Sequence, residues 1–220
     1  MNKLFAELPV IAAATFFVAG PAFAHHPLAG APMETFVHGV LSGIGHPVIG
    51  FDHLFFVALV GLAAALAGRL VLLPVGYIAA MLAGTLLSTA GLALPMVEAA
   101  IALSLLALGG VLVRGRGLET IPALLVFVGF GLFHGSAFGA SVAGQESALG
   151  APVLIGYLLG LGGIQYLISL GCGWGAGKAW DLRHPDRSEP RIAGAAVAGV
   201  GLFLVLEIAE VATFAALGVG

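Results

Sequence analysis

The sequence predicts an all-α fold, a polytopic membrane helix bundle, on three observations. Of its 220 residues, 60% are hydrophobic and 9% charged, and the mean hydropathy is +1.11, outside the range of a water-soluble globular domain. The apolar residues fall in uncharged stretches of about 20, the length a helix needs to cross ~30 Å of hydrocarbon. The basic residues that follow the first such stretch lie only between the others.

Residues 1–24 carry Lys3, an apolar run from Leu8 to Gly20, and Ala22-Phe23-Ala24 just before His25. That is the pattern of a secretory signal with an Ala-x-Ala cleavage site. Six transmembrane helices are expected after it, at approximately 48–67, 71–91, 95–113, 120–142, 150–177 and 192–217. Residues 25–220 then form a single six-helix membrane domain. The 34 glycines run through the spans, as at Gly156, Gly160, Gly162 and Gly163 in the fifth, and small residues let helices approach closely in lipid.

Arg69 lies in the first connection, Arg114 and Arg116 in the third, and Lys178, Arg183, Arg187 and Arg191 in the fifth, while the alternate connections have no Lys or Arg. Basic residues near span ends mark the cytoplasmic side. The expected placement is therefore multi-pass in the inner membrane, with the mature amino terminus in the periplasm.

Several function classes are excluded or weakened. A lone Cys172 leaves no disulfide framework and no cysteine metal cage, and it reads as a small core residue. There is no Gly-x-x-x-x-Gly-Lys-Ser/Thr loop, so energy must come from a gradient, the membrane potential or a partner. Neither His-Glu-x-x-His nor Gly-x-Ser-x-Gly occurs, which weakens an intramembrane metal-dependent hydrolase. No prosthetic group and no nucleic-acid partner are implied.

The run His46-Pro47-Val48-Ile49-Gly50-Phe51-Asp52-His53 puts two imidazoles and a carboxylate at the mouth of the first span. Ionisable groups at such depth are costly and default to a functional reading, and Asp with His suits a divalent transition metal. Glu98 lies one turn into the third span, His134 past the middle of the fourth, and Gln165 near the middle of the fifth. Glu207 and Glu210, three apart in the otherwise apolar segment 201–216, project from one helix face. With the expected orientation Asp52, His53, Glu98, His134, Gln165, Glu207 and Glu210 all lie in the outer half or near the midplane. The plainer readings stand beside this one: Asp52 as a helix cap, His53 as a hydrated interfacial residue, His46 as part of a turn, and Glu98 serving the helix dipole. His25 and His26, at a new amino terminus after cleavage, are candidates for metal capture, although Pro27 lacks the amide N–H of a three-residue chelate.

The first-span sequence His46-Pro47-x-x-Gly50-x-Asp52-His53 resembles the signature of the HupE/UreJ family, as do Pro95-x-x-Glu98 and Phe133-His134-Gly135. The resemblance covers nearly the whole chain. It implies a secondary permease for nickel or cobalt taken up from the periplasmic side. It marks His46, Asp52, His53, Glu98 and His134 as metal residues; Glu207 and Glu210, which lie outside the family's usual pattern, and Gln165 are accessory or proton-relay candidates by their place in apolar spans. The implied partners are the lipid bilayer, the metal ion, and metallochaperone or metalloenzyme maturation proteins. Two departures stand out: Ser136 and Phe138 replace histidines usual in the family's second motif, and Gln165 stands where a histidine is common. They leave open which metal is handled, and whether the bundle transports at all or is a non-transporting subunit for metal sensing or metalloenzyme assembly.

Overall fold

A computed structural model describes residues 33–115, 117–145, 150–180, 182, 184 and 187–218. The signal segment, His25 and His26 lie outside the described residues. Seven helices are present among those described: α1 (Phe36–Ile49), α2 (Phe51–Leu66), α3 (Leu72–Thr89), α4 (Val97–Val113), α5 (Thr120–Gln145), α6 (Ala151–Ala179) and α7 (Glu189–Leu217).

The first expected span is corrected. Helix starts at Phe36, not near residue 48, and the chain bends by 83° at Gly50 between α1 and α2. Thr35 caps α1, its hydroxyl accepting the His38 N–H at 3.1 Å, and Pro47 supplies no amide N–H for the last turn. At 14 residues α1 covers ~21 Å, too short to cross a bilayer alone. Among the described residues, helices α3, α5, α6 and α7 are long and apolar enough to cross, the bent α1–α2 pair has the length and composition of either one broken span or a re-entrant loop, and α4 with 17 residues falls short of the usual length.

Three helix pairs make most of the bundle, α3 on α5, α1 on α6, and α4 on α7, with α2 at the centre touching all the other helices. Glycines set how closely each pair approaches. Gly131, Gly135 and Gly139 of α5, each one turn apart, rest on the carbonyl oxygens of Tyr77, Met81 and Thr85 of α3. Gly39 and Gly43 of α1 rest on the carbonyls of Val153 and Tyr157, and Gly156 and Gly160 of α6 on those of Phe36 and Val40. Gly109 and Gly194 do the same for α4 and α7.

The connections that hold the basic residues meet at one end. Gly117 lies against Leu66 and Ala67, Arg191 Nε donates to the Val113 carbonyl at 3.1 Å, and Gly68 and Lys178 line one cavity. The α1–α2 bend and the start of α4 lie at the other end, where the polar side chains gather. Cys172 is exposed on α6, which corrects its expected place in the core.

Candidate functional site

The bend at Gly50 carries the first turn of α2 into the bundle. A Cβ at Gly50 would come within 3.1 Å of the His53 ring and 3.4 Å of the Asp52 carboxylate, so glycine leaves these two side chains room to lie back against the bend. Gly50 holds the cap position just before α2, where no side chain caps the helix, and Asp52 stands within the first turn. The cap reading of Asp52 is thus not what its side chain does.

His53 and His134 are both buried and meet through their Nδ1 atoms at 2.8 Å. The far nitrogen of His134, Nε2, lies 2.9 Å from the hydroxyl of Ser104 on α4, and that hydroxyl donates to the Ile101 carbonyl at 2.6 Å. Phe56, one turn beyond His53, stacks on the His134 ring with centroids 4.4 Å apart. His46 approaches from the end of α1, its Nδ1 3.1 Å from the Tyr157 hydroxyl and its ring 6.3 Å from that of His53.

Phe138 stands between these imidazoles, its ring 5.0 Å from His46 and 4.2 Å from His53. An apolar ring therefore stands at the centre of the cluster, at a position where the resemblance leads one to expect a histidine. Ser136, the other departure, accepts the Leu94 N–H at 3.1 Å and ties the α3–α4 connection to α5.

Asp52 Oδ2 is 3.9 Å from His53 Nε2. On its other side Asp52 faces a cavity of ≈ 500 Å³ between α2, α4 and α7, whose other carboxylates are Glu98 and Glu207. Ile101, Leu204, Ile208 and Val211 make most of its apolar wall. Glu98 reaches it from a strained start to α4: Met96 has φ 53°, the one non-glycine residue in the left-handed region among those described. Glu207 and Glu210 are both exposed on α7, but only Glu207 lines the cavity.

Gln165 belongs to a separate polar layer deeper in the bundle. Its Oε1 accepts the Tyr77 hydroxyl at 2.7 Å, and the Tyr77 ring lies 6.2 Å from that of His134. One turn further, Ser169 Oγ is buried with no hydrogen-bond partner among the described residues.

The structure thus divides the expected set. His46, His53 and His134 share an aromatic cluster, Asp52, Glu98 and Glu207 share a cavity, and the Asp52–His53 step joins the two. Among the described residues no three His, Cys, Asp or Glu side chains converge closely enough to hold one ion. His38 is part of the α1 start, its Nδ1 accepting the Glu34 N–H at 3.3 Å. Sequence reasoning missed Ser104, Tyr77 and Tyr157. The spacing Glu98, Ile101, Ser104 was the available signal for Ser104, since steps of three keep these residues near one helix face.

Comparison with known proteins places the chain. A model of the HupE / UreJ protein family matches residues 13–204. Protein HupE of Rhizobium leguminosarum bv. viciae is 35% identical over 177 residues, covering 76% of this chain and 85% of that protein. No solved structure matches.

Proposed function

Because the chain belongs to the HupE/UreJ family, associated with nickel or cobalt uptake and with hydrogenase or urease maturation, we propose that it is a secondary permease for a divalent transition-metal cation. Nickel and cobalt are the favoured substrates. The observation that carries this reading is the cavity shared by Asp52, Glu98 and Glu207, which abuts a buried imidazole pair through the Asp52–His53 step.

A hydrated cation arriving at the bend end of the bundle, the periplasmic side by the distribution of basic residues, exchanges water for carboxylate oxygens in the cavity. Asp52 then hands it to His53. Two donors each ~2.1 Å from a tetrahedral ion stand ~3.4 Å apart, so the 3.9 Å gap between Asp52 Oδ2 and His53 Nε2 closes on a metal by a shift of about half an ångström. Glu98, Glu207 and His46 complete the ligand set as the α1–α2 bend adjusts. Broken helices at a substrate site are a recurrent device of secondary transporters.

The inward route follows Tyr77, Gln165 and Ser169, with the Ser169 hydroxyl, which has no hydrogen-bond partner among the described residues, giving a polar step toward the basic end. Inward movement of a divalent ion gains ~4.6 kcal/mol per 100 mV of inside-negative potential, which suffices without nucleotide hydrolysis. Partners on the cytoplasmic side are metallochaperones or maturation proteins of a metalloenzyme.

The apolar ring of Phe138 amid the imidazoles favours one rival, a subunit that senses metal or assists assembly without transporting it. Cells expressing the chain, with surface expression checked, separate the two. A permease takes up radiolabelled nickel or cobalt and loses uptake on Glu98→Gln; absence of uptake with a well-expressed wild type leaves the sensor or assembly role.

A further inference from the structure

We propose that Ser104 is a positioning residue which, acting through His134, fixes the His53 tautomer so that the Nε2 lone pair faces Asp52. In this arrangement His134 orients the metal-binding imidazole and does not itself bind the ion. The inference rests on the permease reading only for its consequence in transport; the hydrogen-bond pattern stands apart from it.

The Ser104 hydroxyl has a single proton. At 2.6 Å from the Ile101 carbonyl oxygen, that proton must lie between the two oxygens, because two acceptors at that distance without a hydrogen repel. The Ser104 oxygen is then left to accept, and the contact of 2.9 Å with His134 Nε2 requires the proton to be on that nitrogen. A neutral His134 protonated at Nε2 has a bare Nδ1. That atom lies 2.8 Å from His53 Nδ1, so His53 supplies the proton from its own Nδ1. A neutral His53 protonated at Nδ1 carries its lone pair on Nε2, the nitrogen 3.9 Å from Asp52 Oδ2.

Each proton in the row Ile101, Ser104, His134, His53 is set by the one before it. Both nitrogens of His134 are engaged, and its ring is held under Phe56. A metal-binding imidazole whose other N–H is held by a fixed acceptor is the usual arrangement of such sites. Here the acceptor is another imidazole, and a serine on α4 decides which way that imidazole faces.

Two measurements on the full chain in nanodiscs test this. In metal-free protein with ¹⁵N-labelled histidine, nitrogen chemical shifts should show His134 protonated at Nε2 and His53 at Nδ1. A His134 protonated at Nδ1 overturns the proposal whether or not the protein transports. In nickel binding and uptake, Ser104→Ala should mix the tautomers of both rings and weaken nickel binding by about tenfold or more, the usual cost of losing an orienting partner. The same variant should raise KM much more than it lowers the maximal rate. Ser104→Thr, which keeps the hydroxyl, should restore both the spectrum and KM. Unchanged tautomers and KM in Ser104→Ala, or a loss that Ser104→Thr does not rescue, would refute the positioning role. If the tautomers are as stated but the wild type takes up no metal, the permease reading fails and the hydrogen-bond row remains.

Discussion

Gly135 offers a quantitative test of how the fold holds the imidazole pair. An added Cβ at Gly135 would overlap the Met81 carbonyl oxygen and lie 2.9 Å from the Thr85 amide nitrogen, both backbone atoms of α3 that no side-chain rotation can move. Gly135→Ala therefore forces α5 away from α3, against close packing that lipid does not replace. Overpacking of this kind costs about 1–3 kcal/mol, partly offset by the ~1 kcal/mol by which alanine favours a helix over glycine. Because His134 is the adjacent residue, the displacement also stretches its 2.8 Å contact with His53, a further loss of about 1 kcal/mol. A net cost of about 2 kcal/mol lowers Tm by about 4–8 °C for a chain of this size. The control is Gly129→Ala on the same helix, where an added Cβ meets nothing within 4 Å. It should leave Tm unchanged or slightly raised. Thermal unfolding of both variants in one detergent decides the matter: equal Tm values would refute the claim that these glycines set the α3–α5 approach.

Other substitutions probe the site directly. Phe138→His places a third imidazole between His46 and His53 and should tighten nickel binding about tenfold in a competition assay; no change would show that the ring position does not bear on the ion. Glu207→Gln should cut uptake at limiting metal at least several-fold, and Glu210→Gln should have little effect, since only Glu207 faces the cavity; the reverse order would discredit the cavity as the access site. Tyr157→Phe removes the 3.1 Å contact to His46 and should raise KM by a few-fold with little change in Tm, whereas a large fall in Tm with unchanged KM would make Tyr157 a packing residue only.

What the sequence disclosed depended on how each feature is written in it. Helices α3, α5, α6 and α7 were legible because each holds a long apolar run with few charges. Helix α1 was not: it is 14 residues long and interrupts its apolar face with His38, Ser42 and His46, so it reads as a polar approach to the membrane. Its packing signal was present in the four-residue spacing of Gly39 and Gly43, matched by Gly156 and Gly160 on α6, but pairing the two requires knowing which helices meet. Asp52, Glu98 and Glu207 were legible as candidates because a carboxylate in an apolar span is conspicuous. Their grouping apart from the histidines was not, because it depends on α7 lying along α4. Ser104 is chemically ordinary in a membrane helix, and only its contact with His134 distinguishes it.

In the permease proposed for this chain a divalent cation crosses the bundle through the Asp52–His53 step, driven by membrane potential. The most direct test is uptake of radiolabelled nickel and cobalt into proteoliposomes under an imposed inside-negative potential, comparing wild type, Asp52→Asn and His53→Ala at matched reconstitution. Accumulation by the wild type should rise with the potential and fall to background in both variants. Potential-independent flux, or equal uptake by wild type and Asp52→Asn, would contradict it.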